Sequence, residues 1–239
     1  MTDNYSNTPA YGAAIGLNRA TFDAGLRAHM MRVYNYMMGG LAITGVTAWA
    51  VANVQALYNA IFGTPLALLV MLAPLAFIMI LSFRFHRMSA SALQTTFWAF
   101  CGVMGLSMAT IFAHFASADI ARAFFITAAM FGGTSLYGYV TKKDLSGMGS
   151  FMVMGLIGIL IASLVNIFLQ STALQFAVSV ISVLVFTGLT AYDTQRIKEE
   201  YAEGYGAEGN QKLAVMGALS LYLNFINLFQ AILSLTSRR

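Results

Sequence analysis

Seven apolar blocks, at about 33–53, 65–83, 92–115, 120–140, 149–169, 173–193 and 212–235, run through the chain with short polar joints between them. Each is close to the ~20 residues that a helix needs to cross the ~30 Å hydrocarbon core of a bilayer. In lipid every backbone N–H and C=O must be paired inside its own helix or inside a closed barrel. The chain lacks the alternating ten-residue strands of a barrel, so each block reads as a transmembrane helix. Composition agrees, since 59% of residues are hydrophobic and 9% charged, against about a quarter charged in a soluble domain. So few polar side chains cannot coat a globule in water. The predicted fold is an all-α integral membrane protein, a seven-transmembrane-helix bundle forming one domain over residues 30–239. Residues 1–29 are polar, lack the apolar core of a cleavable signal peptide and are expected to form a partly ordered cytoplasmic tail. Pro65 is placed to open the second span and Pro74 to kink it.

Lysine and arginine set the orientation. With the N-terminus inside, the cytoplasmic segments hold Arg19, Arg27, Arg32, Arg84, Arg87, Lys142, Lys143, Arg196, Lys198 and Lys212, and the other side holds Arg122, Arg238 and Arg239. Ten of the 13 basic residues thus fall on one face. Seven crossings put the C-terminus outside, and a re-entrant last segment would return it to the cytoplasm. The net charge of +4 is spread over several loops, which suits anionic lipid headgroups and gives no reason to expect nucleic acid.

Few signs point to an enzyme. The three histidines, His29, His86 and His114, are placed at separate span ends and do not converge on one metal. H-E-x-x-H, Walker A and G-x-S-x-G patterns are missing, and the last span has no lysine for a retinal Schiff base. Cys101 lies inside the third span as a small apolar residue.

Small residues recur in the spans, at Gly39, Gly40 and Gly45, Gly102 and Gly105, Gly132 and Gly133, and Gly155 and Gly158; they favour close helix packing. In the last span Gly217, Ser220, Asn224, Asn227, Ala231 and Ser234 follow at steps of three or four and share one helical face. That face lines a pore or packs closely inside the bundle. Asp193 is the first carboxylate after the apolar run that begins near Phe176. It is either a solvated boundary residue paired with Arg196 at i+3 or a buried functional group.

Two stretches, Ala191-Tyr-Asp-Thr-Gln195 and Ala218-Leu-Ser-Leu-Tyr-Leu-Asn-Phe-Ile-Asn-Leu-Phe229, together with a third from Ala123 through Thr141-Lys-Lys-Asp-Leu-Ser146 to Asn166, resemble the signatures of the Bax inhibitor-1 family, bacterial YccA-like branch. The resemblance covers about residues 30–236. It implies a bundle whose last helix is central and wrapped by the other six. It also implies a pH-sensitive calcium leak channel of the bacterial inner membrane, with no resident cofactor. In such a channel a sixth-span carboxylate, here Asp193, faces a seventh-span carboxylate, and an arginine near the end of the second span, Arg84 or Arg87, latches the closed state. The alternative implied by the same resemblance is a regulatory protein acting by contact, on the membrane protease FtsH or on cell-death responses.

The chain departs from the family pattern where the seventh-span carboxylate is expected, because Asn224 stands there. Two carboxylates in contact share one proton, whereas an Asp–Asn pair has a single titrating site and no like-charge repulsion. Calcium takes oxygen ligands, so Asp193 and the Asn224 carbonyl would form a weak, transient Ca²⁺ site with one anionic ligand instead of two.

Overall fold

The computed structural model describes the backbone of residues 8–237 and the side chains of 22–85, 87–202 and 204–237. The first seven residues, the side chains of Arg19 and His86, and Arg238 and Arg239 therefore lie outside the described residues.

The described chain forms eight α-helices: α1 (Thr8–Asn53), α2 (Gln55–Phe62), α3 (Leu66–Arg84), α4 (Ala90–His114), α5 (Ser117–Val140), α6 (Ser146–Leu169), α7 (Thr172–Glu200) and α8 (Gly206–Thr236). Six of them are long and apolar enough to cross a membrane; the count is seven when α1 and α2, bent by 98° at one extended residue, are taken as one broken span. The short α2 was not expected, and α1 reaches back to Thr8, through most of the segment read as a partly ordered tail. α3 runs on through Pro74 without a break.

The joints are short because side chains close the helix ends. Ser89 Oγ accepts from Ala92 N at the start of α4, and Ser171 Oγ accepts from Leu174 N at the start of α7. Between α6 and α7 the chain reverses at Gln170, which has a left-handed φ of 48°, and Asn166 Oδ1 accepts from Ser171 N.

α8 is the axis of the bundle. In its most apolar stretch 67% of residues are buried, against 6–33% in the other five long spans. Four helices, α1, α4, α5 and α7, pack on it, while α3 packs on α4 and α6 on α7 as an outer layer. The last helix is thus wrapped chiefly by four helices instead of all six. Both its faces are buried: Gly217 and Asn224 on the small, polar stripe, Leu221, Phe225, Leu228 and Ile232 on the other. Tyr222 anchors this core, with Phe100 and Phe97 edge-on at 5.5 and 6.1 Å. Its hydroxyl meets Thr44 Oγ1 at 2.6 Å, and Thr44 also reaches the Gly40 and Cys101 carbonyls of α1 and α4. The outer helices present lipid-compatible surfaces, as Leu160, Leu164 and Phe168 of α6 illustrate.

The glycines divide into two sets. A Cβ at Gly105 would meet the Thr44 carbonyl at 2.7 Å, so α1 and α4 touch backbone to backbone there, and a Cβ at Gly138 would collide with the Ala191 carbonyl between α5 and α7. Gly45, Gly102, Gly132, Gly133 and Gly158 would meet nothing within 4 Å, so packing does not require them to be small. α8 is one unbroken helix of 31 residues, about 46 Å at 1.5 Å per residue, which leaves no re-entrant turn.

Candidate functional site

The stretch Ala191–Gln195 uses each of its five residues on a different neighbour. Ala191 sits against Gly138 of α5, and Tyr192 lies over Gly149 of α6. Thr194 Oγ1 lies 3.0 Å from Ser135 Oγ of α5, which lies 2.7 Å from the Tyr34 hydroxyl of α1. Gln195 clamps the α5–α6 joint: its Nε2 donates to Lys143 O and its Oε1 accepts from Leu145 N, both at 2.8 Å. In the same joint Asp144 Oδ1 accepts from Ser146 N, and Ser146 hydrogen bonds hold the Asp144 carboxyl below its ordinary pKa.

Asp193 is the member that faces α8. It is 8% exposed, Asn224 is 5% exposed, and Asn224 Nδ2 donates to Asp193 Oδ2 at 2.7 Å. The other carboxylate oxygen faces Arg196 Nη2 at 3.2 Å, one turn further along α7. Arg196 in turn donates to Ser220 Oγ at 3.3 Å, lies 3.5 Å from Glu200 Oε1 and covers the Tyr192 ring at 5.8 Å. Ser220 and Asn224 are one turn apart on α8, so two α8 residues and the Asp193–Arg196 pair close one polar cluster. A carboxylate taken this far out of water persists only when its oxygens are satisfied, and here both are.

Arg84 and Arg87, the arginines expected to form the latch, are instead exposed at the end of α3 and make no ion pair among the described residues. The guanidinium on Asp193 is that of Arg196, whose i+3 spacing was legible. Gly217 lies against Ile197 of α7, with 3.1 Å available to a Cβ, and so lets α7 close onto α8 one turn below Ser220. Asn227 bonds back to the Leu223 carbonyl and lines a cavity of about 250 Å³ with Ser163, Ser179, Ser182 and Gln230. Gln230 also lines a second cavity of about 410 Å³, with Ser107, Thr110 and Gln175. These hydroxyl and amide residues on α4, α6 and α7 were passed over in the sequence, although polar residues inside apolar spans were the available signal. No cluster of three metal-ligating His, Cys, Asp or Glu residues occurs among the described residues.

The sequence model of the family described as "Inhibitor of apoptosis-promoting Bax1" matches residues 26–239. Among similar proteins, RP147 of Rickettsia prowazekii is 47% identical over 209 residues, covering 87% of this chain and 89% of its own length. A protein of Caulobacter vibrioides is 43% identical over 236 residues, covering 94% of each chain. The "Inner membrane protein YbhL" of Escherichia coli K12 is 43% identical over 219 residues, with 90% and 94% covered. The motifs on α5, α7 and α8 pack against one another around Asp193 in a helical membrane bundle, and the matches run through all three: the chain belongs to the Bax inhibitor-1 family.

Proposed function

We propose that this chain is a cation leak pathway of the bacterial inner membrane, with calcium as its ion, N-terminus cytoplasmic, no resident cofactor and no enzymatic activity. One observation carries the reading: among the described residues the bundle buries a single carboxylate, Asp193, against its central helix, with an intramolecular cation, Arg196, on one oxygen. A buried carboxylate held by a displaceable guanidinium is a cation site in its closed state. Calcium would take the Asp193 carboxylate and the Asn224 carbonyl as hard oxygen ligands. Arg196 has somewhere to go, because its side chain is 40% exposed and Glu200 already stands 3.5 Å from its Nε.

From Asn224 the polar groups of α8 lead on through Asn227 and Gln230 into the two cavities, whose hydroxyls and amides provide successive weak oxygen ligands. Weak, multiple sites suit conduction better than one tight site. Because Asn224 replaces a second carboxylate, the pH response rests on Asp193 alone: its protonation removes the charge that both Arg196 and a cation require.

The inner-membrane assignment draws on the Escherichia coli relative, which is named an inner membrane protein. The orientation draws on the basic residues. A second reading is favoured by the completeness of the cluster: with both Asp193 oxygens satisfied from within, the cluster would serve as a register lock between α7 and α8 in a protein that acts by contact. Purified protein in liposomes loaded with a calcium dye separates the two. A leak pathway gives flux above empty vesicles that Asp193→Asn abolishes; a contact-only protein gives none.

A further inference from the structure

The end of the bundle where α7 turns into α8 contains a second polar site that the cation path does not use. His29 of α1 is only 3% exposed, and neither of its ring nitrogens has a hydrogen-bond partner among the described residues. Its ring leans on Tyr201 at 5.4 Å and lines a cavity of about 350 Å³. Three further polar residues line it: Tyr201; Arg32, one turn along α1; and Asn210, whose Oδ1 is buried without a partner among the described residues while its Nδ2 donates to Ala202 O. Buried polar atoms are nearly always satisfied, so three orphaned atoms around one cavity call for an occupant with both donors and acceptors.

The start of α8, which carries Asn210, also brings backbone to the cavity. Gly206 and Ala207 line the cavity, and no side chain caps this 31-residue helix. Its first backbone N–H groups have no intrahelical acceptor, and they carry the positive end of the helix dipole. Gly206 has φ +66°, a left-handed turn that favours glycine, and a Cβ there would meet nothing within 4 Å. Gly204-Tyr-Gly206-Ala-Glu-Gly209 also has the G-x-G-x-x-G spacing, which in nucleotide-binding proteins brings a helix N-terminus against a phosphate. Here a helix precedes it instead of a strand, so no dinucleotide fold follows.

We propose that this cavity binds a phosphate group, the α8 N-terminus and Arg32 taking its oxygens and His29 and Asn210 completing its hydrogen bonds. A protonated phosphate, or the headgroup of phosphatidylethanolamine with its ammonium, supplies the donor that Asn210 Oδ1 requires. A metal cation is disfavoured by the guanidinium and the helix dipole, and among the described residues no carboxylate lines the cavity.

The test uses the full chain in detergent micelles and in nanodiscs. Titration with inorganic phosphate, followed by calorimetry, reads the free-phosphate arm. Native mass spectrometry after reconstitution in phosphatidylethanolamine, against phosphatidylcholine alone, reads the headgroup arm. Saturable phosphate binding or selective retention of phosphatidylethanolamine supports the site and identifies its source. His29→Phe and Arg32→Gln should each weaken that binding about tenfold, the loss of one charge-assisted or buried hydrogen bond. Arg32 is exposed, so Arg32→Gln leaves the fold intact; if His29→Phe does not elute as folded protein, Asn210→Ala takes its place. Absence of binding in both arms, or undiminished binding by folded Arg32→Gln, overturns the proposal.

Discussion

Replacing Arg196 by Gln removes the charge that faces Asp193 Oδ1 at 3.2 Å and keeps a polar, uncharged side chain at the position. At an effective dielectric of 20, two unit charges at that separation attract by about 5 kcal/mol. That is an upper bound, because the Arg196 side chain is 40% exposed and also faces Glu200. After screening and side-chain entropy, pairs of this kind retain about 1 kcal/mol. If Arg196 competes with a cation for Asp193, removing about 1 kcal/mol of competition raises occupancy about fivefold, since 1.4 kcal/mol is tenfold. The assay is calcium entry into dye-loaded liposomes at calcium concentrations below saturation, with matched protein content and vesicle size. Arg196→Gln should admit calcium about fivefold faster than the natural chain. Asp193→Asn should fall to the empty-vesicle rate, and the double variant should behave as Asp193→Asn does. An Arg196→Gln rate equal to that of the natural chain, in protein that elutes and melts like it, refutes the competition between Arg196 and the cation.

Asn224→Asp sets two carboxylates in hydrogen-bond contact, where they hold one proton between them; calcium flux measured from about pH 6 to 8 should then depend on pH more steeply than in the natural chain, and an unchanged profile removes position 224 from any titrating site. Gln195→Leu deletes two hydrogen bonds and leaves the Leu145 N–H buried and unpaired, so stability in a denaturant titration should drop by about 2–4 kcal/mol; no drop would mean that water replaces the clamp. Gly138→Ala drives a methyl group into the Ala191 carbonyl and should destabilise by about 1–3 kcal/mol as α5 and α7 part, whereas Gly158→Ala, with nothing within 4 Å, should be neutral in the same titration. For orientation, a cysteine at Lys143 in a chain whose Cys101 has been replaced should resist a membrane-impermeant reagent applied to intact cells; labelling from outside would invert the assignment.

The sequence by itself marked the last six apolar spans and their approximate limits, because the length of an apolar run is set by bilayer thickness and needs no knowledge of neighbours, but it missed the bend that breaks the first span into α1 and α2. Asp193 and Asn224 were also legible, since a carboxylate and an amide within apolar helices stand out and the family motifs contain both positions. What lay around them was not legible. The choice between Arg84, Arg87 and Arg196 as the counter-ion depends on which helix end comes within 4 Å of Asp193, and α3 proves to be an outer helix whose arginines stay in solvent. Likewise the stripe on α8 could not be assigned from periodicity, because a central helix buries both its polar and its apolar face. The joining of Ser163, Ser179 and Gln230 into one cavity, and of His29, Arg32 and Asn210 into another, required the fold. These residues are far apart in the chain and share no local pattern; only the packing angles of the helices bring them to the same wall.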